Sequence, residues 1–229
     1  MAELGEKEFR KGIQAVVLDF GMVLCNVPTN EHIARIATLF GVDTAGFWKL
    51  YDTNRLALDR GDMSPDDYWR AFARNAGHSL DEPTLKNLKW WDIEMWLGLN
   101  DPMLAWVEQL HVAGYKLGLL SNLHQTFANH LREHAGWLRH FHVPVFSAEV
   151  GRVKPEPEIY RHLLEKLDTP ARDTLFIDDR QTNIDAARRA GMQGLVFTST
   201  DQLRSDLSAI HFQPLPSPLI AGSGNWTAM

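Results

Sequence analysis

The stretch Ile13–Leu24, IQAVVLDFGMVL, decides the fold of this 229-residue chain. Most residues from Ile13 to Leu18 are apolar, and Asp19 and Gly21 follow at once. A short apolar run that ends in a turn signal is typical of a strand buried at the centre of a parallel sheet. Ligands bind at the carboxyl ends of such strands, so the pattern puts the Asp19 carboxylate at the mouth of a site. On this stretch alone, a turn-capping role for Asp19 fits equally well.

The composition is that of an ordinary acidic globular protein. The formal net charge is −6, 45% of the residues are hydrophobic, and Cys25 is the only cysteine. This charge does not favour nucleic acid, whose binders usually carry a basic face, and no run reaches the roughly 18–20 apolar residues of a membrane span. One cysteine forms no internal disulfide, and the charged N-terminus lacks the apolar centre of a signal peptide. We therefore expect a cytoplasmic protein with no nucleic-acid or membrane partner.

The residues after the first strand predict helices only. From Asn30 to about Trp96, apolar side chains recur at helical spacing, and Gly41 and Gly77 end two of the segments. We expect a helical block inserted directly after the first strand. Its tryptophans either line a substrate pocket or, as is more common, pack the core of the block; they are Trp48, Trp69, Trp90, Trp91 and Trp96.

The second half of the chain alternates helix and strand patterns. Helices are predicted from Pro102 to Gly114, from Gln125 to Glu133, from Pro157 to Leu167, from Asn183 to Ala190 and over 201–210. The sequence predicts strands at YKLGLLSN (115–122), VPVFSAEVG (143–151), TLFIDD (174–179) and GLVF (194–197). Such alternation implies βαβ units and therefore an α/β protein with a parallel sheet.

Polar residues follow the ends of several predicted strands. Asp19 follows the first, Ser121 ends the second, and Asp178 and Asp179 end a later one, while Lys154 lies in the proline-rich turn GRVKPEPEIY. Parallel strands end at the same edge of a sheet, so these groups would meet there. Carboxylates that repel one another are stabilised by a hard divalent cation with oxygen ligands. Lys154 and the Ser121 hydroxyl would hold an anion such as phosphate beside that cation.

Four motifs, in order and at plausible spacing, resemble the haloacid dehalogenase-like superfamily of hydrolases: AVVLDFGMVL, KLGLLSN, GRVKPEPEIY and LFIDDRQTNIDAARRAGM. The resemblance implies a Rossmann-like parallel sheet core with an inserted helical cap domain. We expect the core to comprise residues 1–25 and 97–212, the cap residues 26–96, and a loose tail residues 213–229.

The resemblance also implies catalytic and substrate-binding roles. Asp19 would be the nucleophile that attacks phosphorus and forms an aspartyl-phosphate, a role for which an ionised carboxylate is suited. Lys154 and Ser121 would take part in catalysis. Together with Asn122 they would bind the phosphate of a small phosphorylated metabolite. Two further residues near the strand ends are candidates for contact with substrate: His124 and Arg180.

The family pattern further implies a magnesium site. Mg²⁺ would be held by the Asp19 carboxylate, the Gly21 backbone carbonyl and Asp179, with Asp178 close by or bridging through water. Asn183, on the helix after the paired aspartates, would orient the site from outside the ligand set.

One position departs from the family pattern. Most phosphatases of this superfamily carry a second aspartate two residues after the nucleophile, where it protonates the leaving group, but this chain has Gly21. The chain is similar here to a subset with an Asp-x-Gly first motif, which includes a bacterial glucose-1-phosphate phosphatase. An anomeric sugar oxygen leaves more readily than a simple alkoxide. The hypothesis is therefore a sugar phosphate substrate, specifically a sugar 1-phosphate.

Other functions stay open beside the phosphatase. A 2-haloacid dehalogenase uses the same aspartate on carbon without metal and also lacks the second aspartate. The Asp178–Asp179 pair favours a metal, however, and the aromatic residue usual at the Gly21 position of dehalogenases is missing. A non-catalytic binding module would have no need of Asp19, Lys154 and Asp179 together. A phosphoryl mutase is the least favoured reading, because the acid–base residue is absent.

Overall fold

A computed structural model describes residues 12–217 of the chain. Expectations about residues 1–11 of the core and residues 218–229 of the tail lie outside the described residues. The strands are β1 (Ala15–Leu18), β2 (Lys116–Ser121), β3 (Val143–Phe146), β4 (Thr174–Asp178) and β5 (Gln193–Val196). They form one parallel sheet in the order β3-β2-β1-β4-β5.

Strand β1 occupies the centre of this sheet, and all of its residues are buried. Leu18 pairs with Leu119 of β2 on one side and with Ile177 of β4 on the other. The ladder continues one residue further, because the Asp19 N–H donates to the Ile177 carbonyl at 3.0 Å. The apolar run of the sequence therefore delivers Asp19 to the carboxyl edge of the sheet on a rigid strand.

Helices occur in both halves of the chain. Between β1 and β2 lie α1 (Asn30–Leu39), α2 (Thr44–Asp52), α3 (Arg55–Arg60), α4 (Pro65–Asn75), α5 (Glu82–Glu94) and α6 (Asp101–Val112). The later helices are α7 (Gln125–His134), α8 (Ser147–Val150), α9 (Pro157–Leu167), α10 (Gln181–Arg189) and α11 (Thr200–Ala209). Two 3₁₀ turns cover Gly136–His140 and Ala171–Asp173.

Helices α1 to α5 form a cap with its own hydrophobic core. Side-chain oxygens of Thr29, Asp43, Ser64 and Asp81 accept backbone N–H groups at the starts of α1, α2, α4 and α5, which satisfies donors that a helix leaves unpaired. Trp69 is fully buried in this core, and Trp48, Trp91 and Trp96 pack partly buried against it. Trp90 is exposed. Packing therefore accounts for most of the cap tryptophans.

Two chain segments join the cap to the sheet, and they run side by side. Cys25 and Leu99 form an antiparallel bridge. The Asn26 N–H donates to the Gly98 carbonyl at 2.7 Å, and the Asn100 N–H donates to the Leu24 carbonyl at 2.9 Å. The cap is thus connected to the sheet through one narrow, hydrogen-bonded pair of linkers.

The structure confirms the α/β fold with a Rossmann-like parallel sheet and an inserted helical cap. It differs from the prediction in two short elements. The strand expected over 143–151 ends at Phe146, and the chain turns into α8, which Gly151 ends with a φ of +64°. Helix α3 was not predicted, because six residues with only Leu58 and Asp59 buried show no apolar period.

The first residues of the expected tail lie against the core. The Gln213 carbonyl accepts from the Tyr115 hydroxyl at 2.7 Å, and the Pro214 carbonyl accepts from the Trp106 indole at 2.8 Å. The chain is therefore held at this point of the tail. Across residues 12–217, no helix combines the length and apolarity needed to cross a membrane.

Candidate active site

The carboxyl edge of the sheet gathers the predicted polar residues. Asp19 follows β1, Ser121 ends β2, and Asp178 ends β4. Lys154 reaches the same place from the turn that precedes α9. Its ammonium nitrogen lies 2.8 Å from Asp19 Oδ1 and 2.7 Å from Asp178 Oδ2. The structure therefore brings together side chains that are more than a hundred residues apart in the sequence.

Asn122 fixes the position of Lys154 through its main chain. The Asn122 side-chain carbonyl accepts the Lys154 N–H at 2.8 Å, and its amide donates to the Lys154 carbonyl at 3.0 Å. Both polar groups of the Asn122 side chain are thus directed at the Lys154 backbone. The resemblance implied that Asn122 binds phosphate; in the structure its side chain is occupied by the backbone of Lys154.

Asp178 is fully buried, and hydrogen bonds surround its carboxylate. Oδ1 accepts from the Arg180 backbone N–H at 2.8 Å and from the Asn183 amide at 2.9 Å. Oδ2 accepts from Lys154 at 2.7 Å and from the same Asn183 amide at 3.0 Å. The Asn183 amide therefore holds the Asp178 carboxylate in place.

The two oxygens of Asp19 have different surroundings. Oδ1 accepts the Phe20 N–H at 2.7 Å and faces the Lys154 ammonium. Oδ2 accepts no hydrogen bond from the described residues. One oxygen therefore orients the carboxylate, and the other remains available to a ligand or a reacting atom.

Burial and excess negative charge perturb the protonation of this site. Burial raises the pKa of Asp19 to about 7, although Lys154 acts in the opposite direction. Burial and then the charge of Asp178 raise the pKa of Asp179. Burial alone would lower the pKa of Lys154, but Asp178 and Asp19 outweigh it and raise that pKa. Three carboxylates face one ammonium, so the site favours a further cation.

The acidic residues fit a divalent metal ion. Oxygens of Asp19, Asp178 and Asp179 all lie within 4.8 Å of one another. Carboxylate oxygens are the ligands that Mg²⁺ prefers, and a small ion needs only a few of them because it keeps several waters. The free Oδ2 of Asp19 and the half-buried Asp179 are the most accessible of the three groups.

There is open space next to the Gly21 Cα, and the Ser121 hydroxyl has no protein partner among the described residues. A Cβ placed on Gly21 would meet no atom within 4 Å. Its backbone needs no left-handed conformation, so a larger residue could stand there. The buried Ser121 hydroxyl makes no hydrogen bond within residues 12–217, which leaves it free to donate to a bound anion.

His124 and Arg180 differ in burial and in the direction of their side chains. His124 is buried, and its Nδ1 accepts the Phe127 N–H at the start of α7. Its Nε2 lies 3.4 Å from Asp92 Oδ2 of the cap helix α5. The Arg180 side chain is exposed, and its backbone N–H serves Asp178. His124 therefore faces the cap, whereas the Arg180 side chain faces solvent.

Sequence reasoning missed Ser147, the first residue of α8. Its hydroxyl accepts the Leu123 N–H at 2.9 Å and donates to the carbonyl of Asp59 in α3. The sequence assigned this residue to a strand. A single small hydroxyl carries no pattern that would indicate a contact with the cap.

Comparison with known proteins identifies a matching family and several similar proteins. The family model for hydrolases described as haloacid dehalogenase-like hydrolase matches residues 13–191. A sesquiterpene phosphatase of Aspergillus oryzae is 27% identical over 199 residues, which are 82% of this chain and 91% of that protein.

Two solved structures show the same fold. A HAD family enzyme of Bacteroides thetaiotaomicron, in complex with magnesium and inorganic phosphate, has a TM-score of 0.67 at 21% identity and covers 82% of this chain and 95% of its own. The L-2-haloacid dehalogenase of Xanthobacter autotrophicus, with chloropropionic acid covalently bound, has a TM-score of 0.64 at 19% identity. That comparison covers 89% of this chain and 85% of the dehalogenase.

Proposed function

We propose that this chain, which belongs to the haloacid dehalogenase-like hydrolase family, is a Mg²⁺-dependent phosphatase of a small phosphorylated metabolite. The observation that carries the proposal is the geometry of Asp19. One carboxylate oxygen is held by Lys154 and the Phe20 N–H, and the other is free beside two further carboxylates. Such a group is oriented, partly desolvated and available to attack an electrophile.

In the proposed reaction, Asp19 acts as the nucleophile. Its Oδ2 forms a bond to phosphorus while the bond between phosphorus and the leaving oxygen breaks. The leaving oxygen takes its proton from water, because Gly21 provides no acid. A water molecule then attacks phosphorus in the aspartyl-phosphate, and inorganic phosphate and the Asp19 carboxylate are released.

The remaining residues bind and orient the phosphate. The Ser121 hydroxyl donates to a phosphate oxygen, and the Lys154 ammonium offsets the negative charge that would repel Asp19. Asn122 supports this step indirectly by holding the Lys154 backbone.

A magnesium ion would be held by Asp19, the Gly21 carbonyl and Asp179. When bound, Mg²⁺ would neutralise charge on the phosphate and polarise it. Asp178 belongs to the same acidic group, but Lys154, Asn183 and the Arg180 N–H occupy its oxygens. We assign Asp178 to the support of the site and Asp179 to direct contact with the metal.

The negative charge of the site favours a phosphatase over a dehalogenase. A 2-haloacid carries one negative charge and needs no metal, so three clustered carboxylates would oppose its binding. A phosphate with a divalent cation uses the same excess of carboxylates. The similarity to a sesquiterpene phosphatase along most of both chains also supports phosphoryl chemistry, and the site carries too many oriented groups for a module that only binds.

We further propose a sugar 1-phosphate as the substrate class, on the ground of Gly21. General acid catalysis is worth about 10²–10⁴-fold, mostly for poor leaving groups, and an anomeric oxygen is a better leaving group than an alkoxide. Because Gly21 is surrounded by open space, Gly21→Asp should fit and should accelerate alkyl phosphates more than sugar 1-phosphates. Equal turnover of both substrate types by the unaltered protein would contradict this substrate class.

We also propose that residues 26–96 form the cap and that residues 1–25 and 97–212 form the core. The hydrogen-bonded linkers around Cys25 and Leu99 support these boundaries.

The test is hydrolysis of p-nitrophenyl phosphate with Mg²⁺ and with EDTA. This ester needs no proton on its leaving group, so Gly21 should not limit it. We expect metal-dependent turnover that Asp19→Asn abolishes. Chloride release from 2-chloropropionate in EDTA, without phosphatase activity, would instead establish the dehalogenase. If neither reaction occurred, the catalytic proposal would fail.

A further inference from the structure

One hydroxyl joins the phosphate side of the site to the cap. Ser147 is fully buried in the sheet domain, and its Oγ accepts the N–H of Leu123, two residues after Ser121. The same Oγ donates to the backbone carbonyl of Asp59, in cap helix α3. A hydroxyl has only one proton to donate. The Ser147 proton is donated to the Asp59 carbonyl of the cap, while a lone pair of the same oxygen accepts the Leu123 N–H.

The Ser147 proton also has a second acceptor. The Leu123 carbonyl lies 3.3 Å from Ser147 Oγ. If the cap moved away, the hydroxyl could rotate toward this carbonyl and remain hydrogen-bonded. The hydroxyl therefore has an acceptor in the cap and another in its own domain, so it would keep a hydrogen bond if the cap undocked.

His124 makes a parallel contact from the same turn. Its Nδ1 accepts the Phe127 N–H at 3.3 Å, so Nε2 is the ring nitrogen that has a proton to donate. Nε2 is buried, has no hydrogen bond within the described residues and lies 3.4 Å from Asp92 Oδ2. Asp92 is itself held by Arg55 in the cap at 2.9 Å. A small closing motion would bring Nε2 and the carboxylate into a full hydrogen bond.

The backbones of cap and core also approach closely beside these contacts. Gly61 ends α3 with a φ of +88°, and a Cβ there would lie 3.5 Å from the Ala148 carbonyl oxygen of α8. Arg60 forms an ion pair with Glu156, two residues after Lys154. The docked cap therefore rests on elements that adjoin both Ser121 and Lys154.

We propose that Ser147 and His124 are positioning residues that couple docking of the cap to the turn Ser121–His124. The phosphate-binding side of the site is ordered when α3 is docked, and it loosens when the cap leaves. Coupling of this kind is reciprocal, so a ligand on the turn also stabilises the docked cap. This inference rests on the proposed phosphatase function, because that function gives the turn its role in binding phosphate.

Two variants and one control test the coupling. Ser147→Ala removes the shared hydroxyl. His124→Asn keeps a side chain that accepts the Phe127 N–H but is too short to reach Asp92. Ser64→Ala is the matched control, because that hydroxyl caps α4 through contacts inside the cap only.

The first readout is hydrogen exchange of the protein without ligand. We expect Ser147→Ala and His124→Asn to speed exchange in α3, whereas Ser64→Ala speeds it only in α4. The Leu123 amide loses its acceptor in Ser147→Ala whatever the cap does, so only α3 counts. Unchanged exchange of α3 in either folded variant would overturn the docking role of that residue, and His124→Asn decides the proposal if Ser147→Ala does not fold.

The second readout is competitive inhibition by inorganic phosphate. We expect the inhibition constant to rise about tenfold in His124→Asn, which leaves the hydrogen bond between Ser147 and the Leu123 N–H in place, with a smaller change in kcat and none in Ser64→Ala. Faster exchange in α3 with unchanged phosphate inhibition would overturn the coupling. If the unaltered protein hydrolysed no phosphate ester, the proposed function would fail, while the exchange data would still decide whether the cap docks through these residues.

Discussion

Within residues 12–217, two buried clusters each combine carboxylates with a basic side chain: one lies at the sheet edge and the other lies in the cap. The site cluster consists of Asp19, Lys154, Asp178 and Asp179. The cap cluster consists of Tyr51, Arg55, Asp59 and Asp92. Each combines carboxylates with one cation, and each is assembled mostly from buried side chains. The two clusters nevertheless serve different purposes, because they differ in how completely their polar atoms are paired.

In the cap cluster, the charged groups are hydrogen-bonded to one another. Arg55 donates to Asp59 at 3.1 Å and to Asp92 at 2.9 Å, and the Tyr51 hydroxyl donates to Asp92 at 2.6 Å. Burial alone would raise the pKa of Asp92, but Arg55, His124 and Tyr51 outweigh it and lower that pKa. Partners inside the fold thus keep the Asp92 carboxylate ionised, whereas burial raises the pKa of Asp59 although Arg55 acts in the opposite direction.

The site cluster leaves charge unpaired. Its single ammonium serves two of the three carboxylates, and Asp19 Oδ2 has no hydrogen bond from the described residues. Burial raises the pKa of Asp19 to about 7, so ionisation of this group is opposed rather than favoured. A buried ionic cluster supports packing when its charges are matched, and it supports binding or chemistry when some are not.

The largest expected effect is on catalysis. Asp19→Asn should lower phosphatase kcat by at least about 10⁴-fold, because it removes the nucleophile. The melting temperature should stay level or rise, since one of three repelling carboxylates is lost. Initial rates and thermal unfolding on the same preparation check both parts. Retained activity would show that the unpaired oxygen of the site cluster is not the nucleophile.

The opposite pattern is expected in the cap. Asp92→Ala should cost about 1–3 kcal/mol of unfolding free energy, because the buried Tyr51 hydroxyl loses its acceptor and Arg55 keeps only Asp59 as a carboxylate partner. Urea unfolding measures this change. The control Asp62→Ala removes an exposed cap carboxylate that pairs loosely with Arg60, and it should change stability by about 0.5 kcal/mol or less. Similar losses in both variants would mean that the cap cluster is not a matched ionic group.

Magnesium should distinguish the clusters through stability. At about a hundred times its Kd, Mg²⁺ should add about 2.7 kcal/mol to the unfolding free energy by mass action. Asp179→Asn should abolish most of this gain, whereas Asp59→Asn in the cap should retain it. Thermal unfolding across a Mg²⁺ titration, with Ca²⁺ as a second ion, provides the measurement. A gain that survives Asp179→Asn would place the metal elsewhere.

Taken per pH unit, the smallest effect is the pH dependence of stability without metal. A raised pKa at Asp19 gives a stability contribution that is complete below the ordinary value of 3.8 and is lost as pH rises toward about 7. The lowered pKa at Asp92 gives a contribution that is present above 3.8 and is lost as pH falls below it. Each slope is at most about 1.4 kcal/mol per pH unit.

Variants separate the two slopes. Asp19→Asn should flatten the stability curve between about pH 4 and 7, and Asp92→Asn should flatten its acidic side. Burial raises the pKa of Asp59 as well, so some of the neutral slope should persist in Asp19→Asn. Chemical unfolding in EDTA at several pH values gives both curves. Identical curves for the two variants would contradict the assigned directions.

Much of the fold could be predicted because it depends on local patterns. The apolar run before Asp19, the strand before Asp178 and the alternation of helices and strands are each visible within a few residues. Parallel strands end at one edge, so the meeting of Asp19, Lys154 and Asp178 also followed from the sequence. The short helices α3 and α8 could not be predicted, because four to six residues carry too little periodicity.

Side-chain partners were beyond such reasoning. Asn122 is directed at the Lys154 backbone, and His124 faces Asp92 across the boundary between core and cap. Neither contact leaves a trace in spacing, because the partners are far apart in the sequence and meet through the packing of whole elements.

The order of residues was thus sufficient for the sheet, the inserted helices and the gathering of acidic groups at one edge. These features follow from hydrophobic periodicity and from the geometry of parallel strands, which act over short distances along the chain. Only the folded molecule distinguishes the free Oδ2 of Asp19 from its bound Oδ1, or the matched charges of the cap from the unmatched charges of the site. Those distinctions depend on distances of about 3 Å between atoms that packing alone brings together.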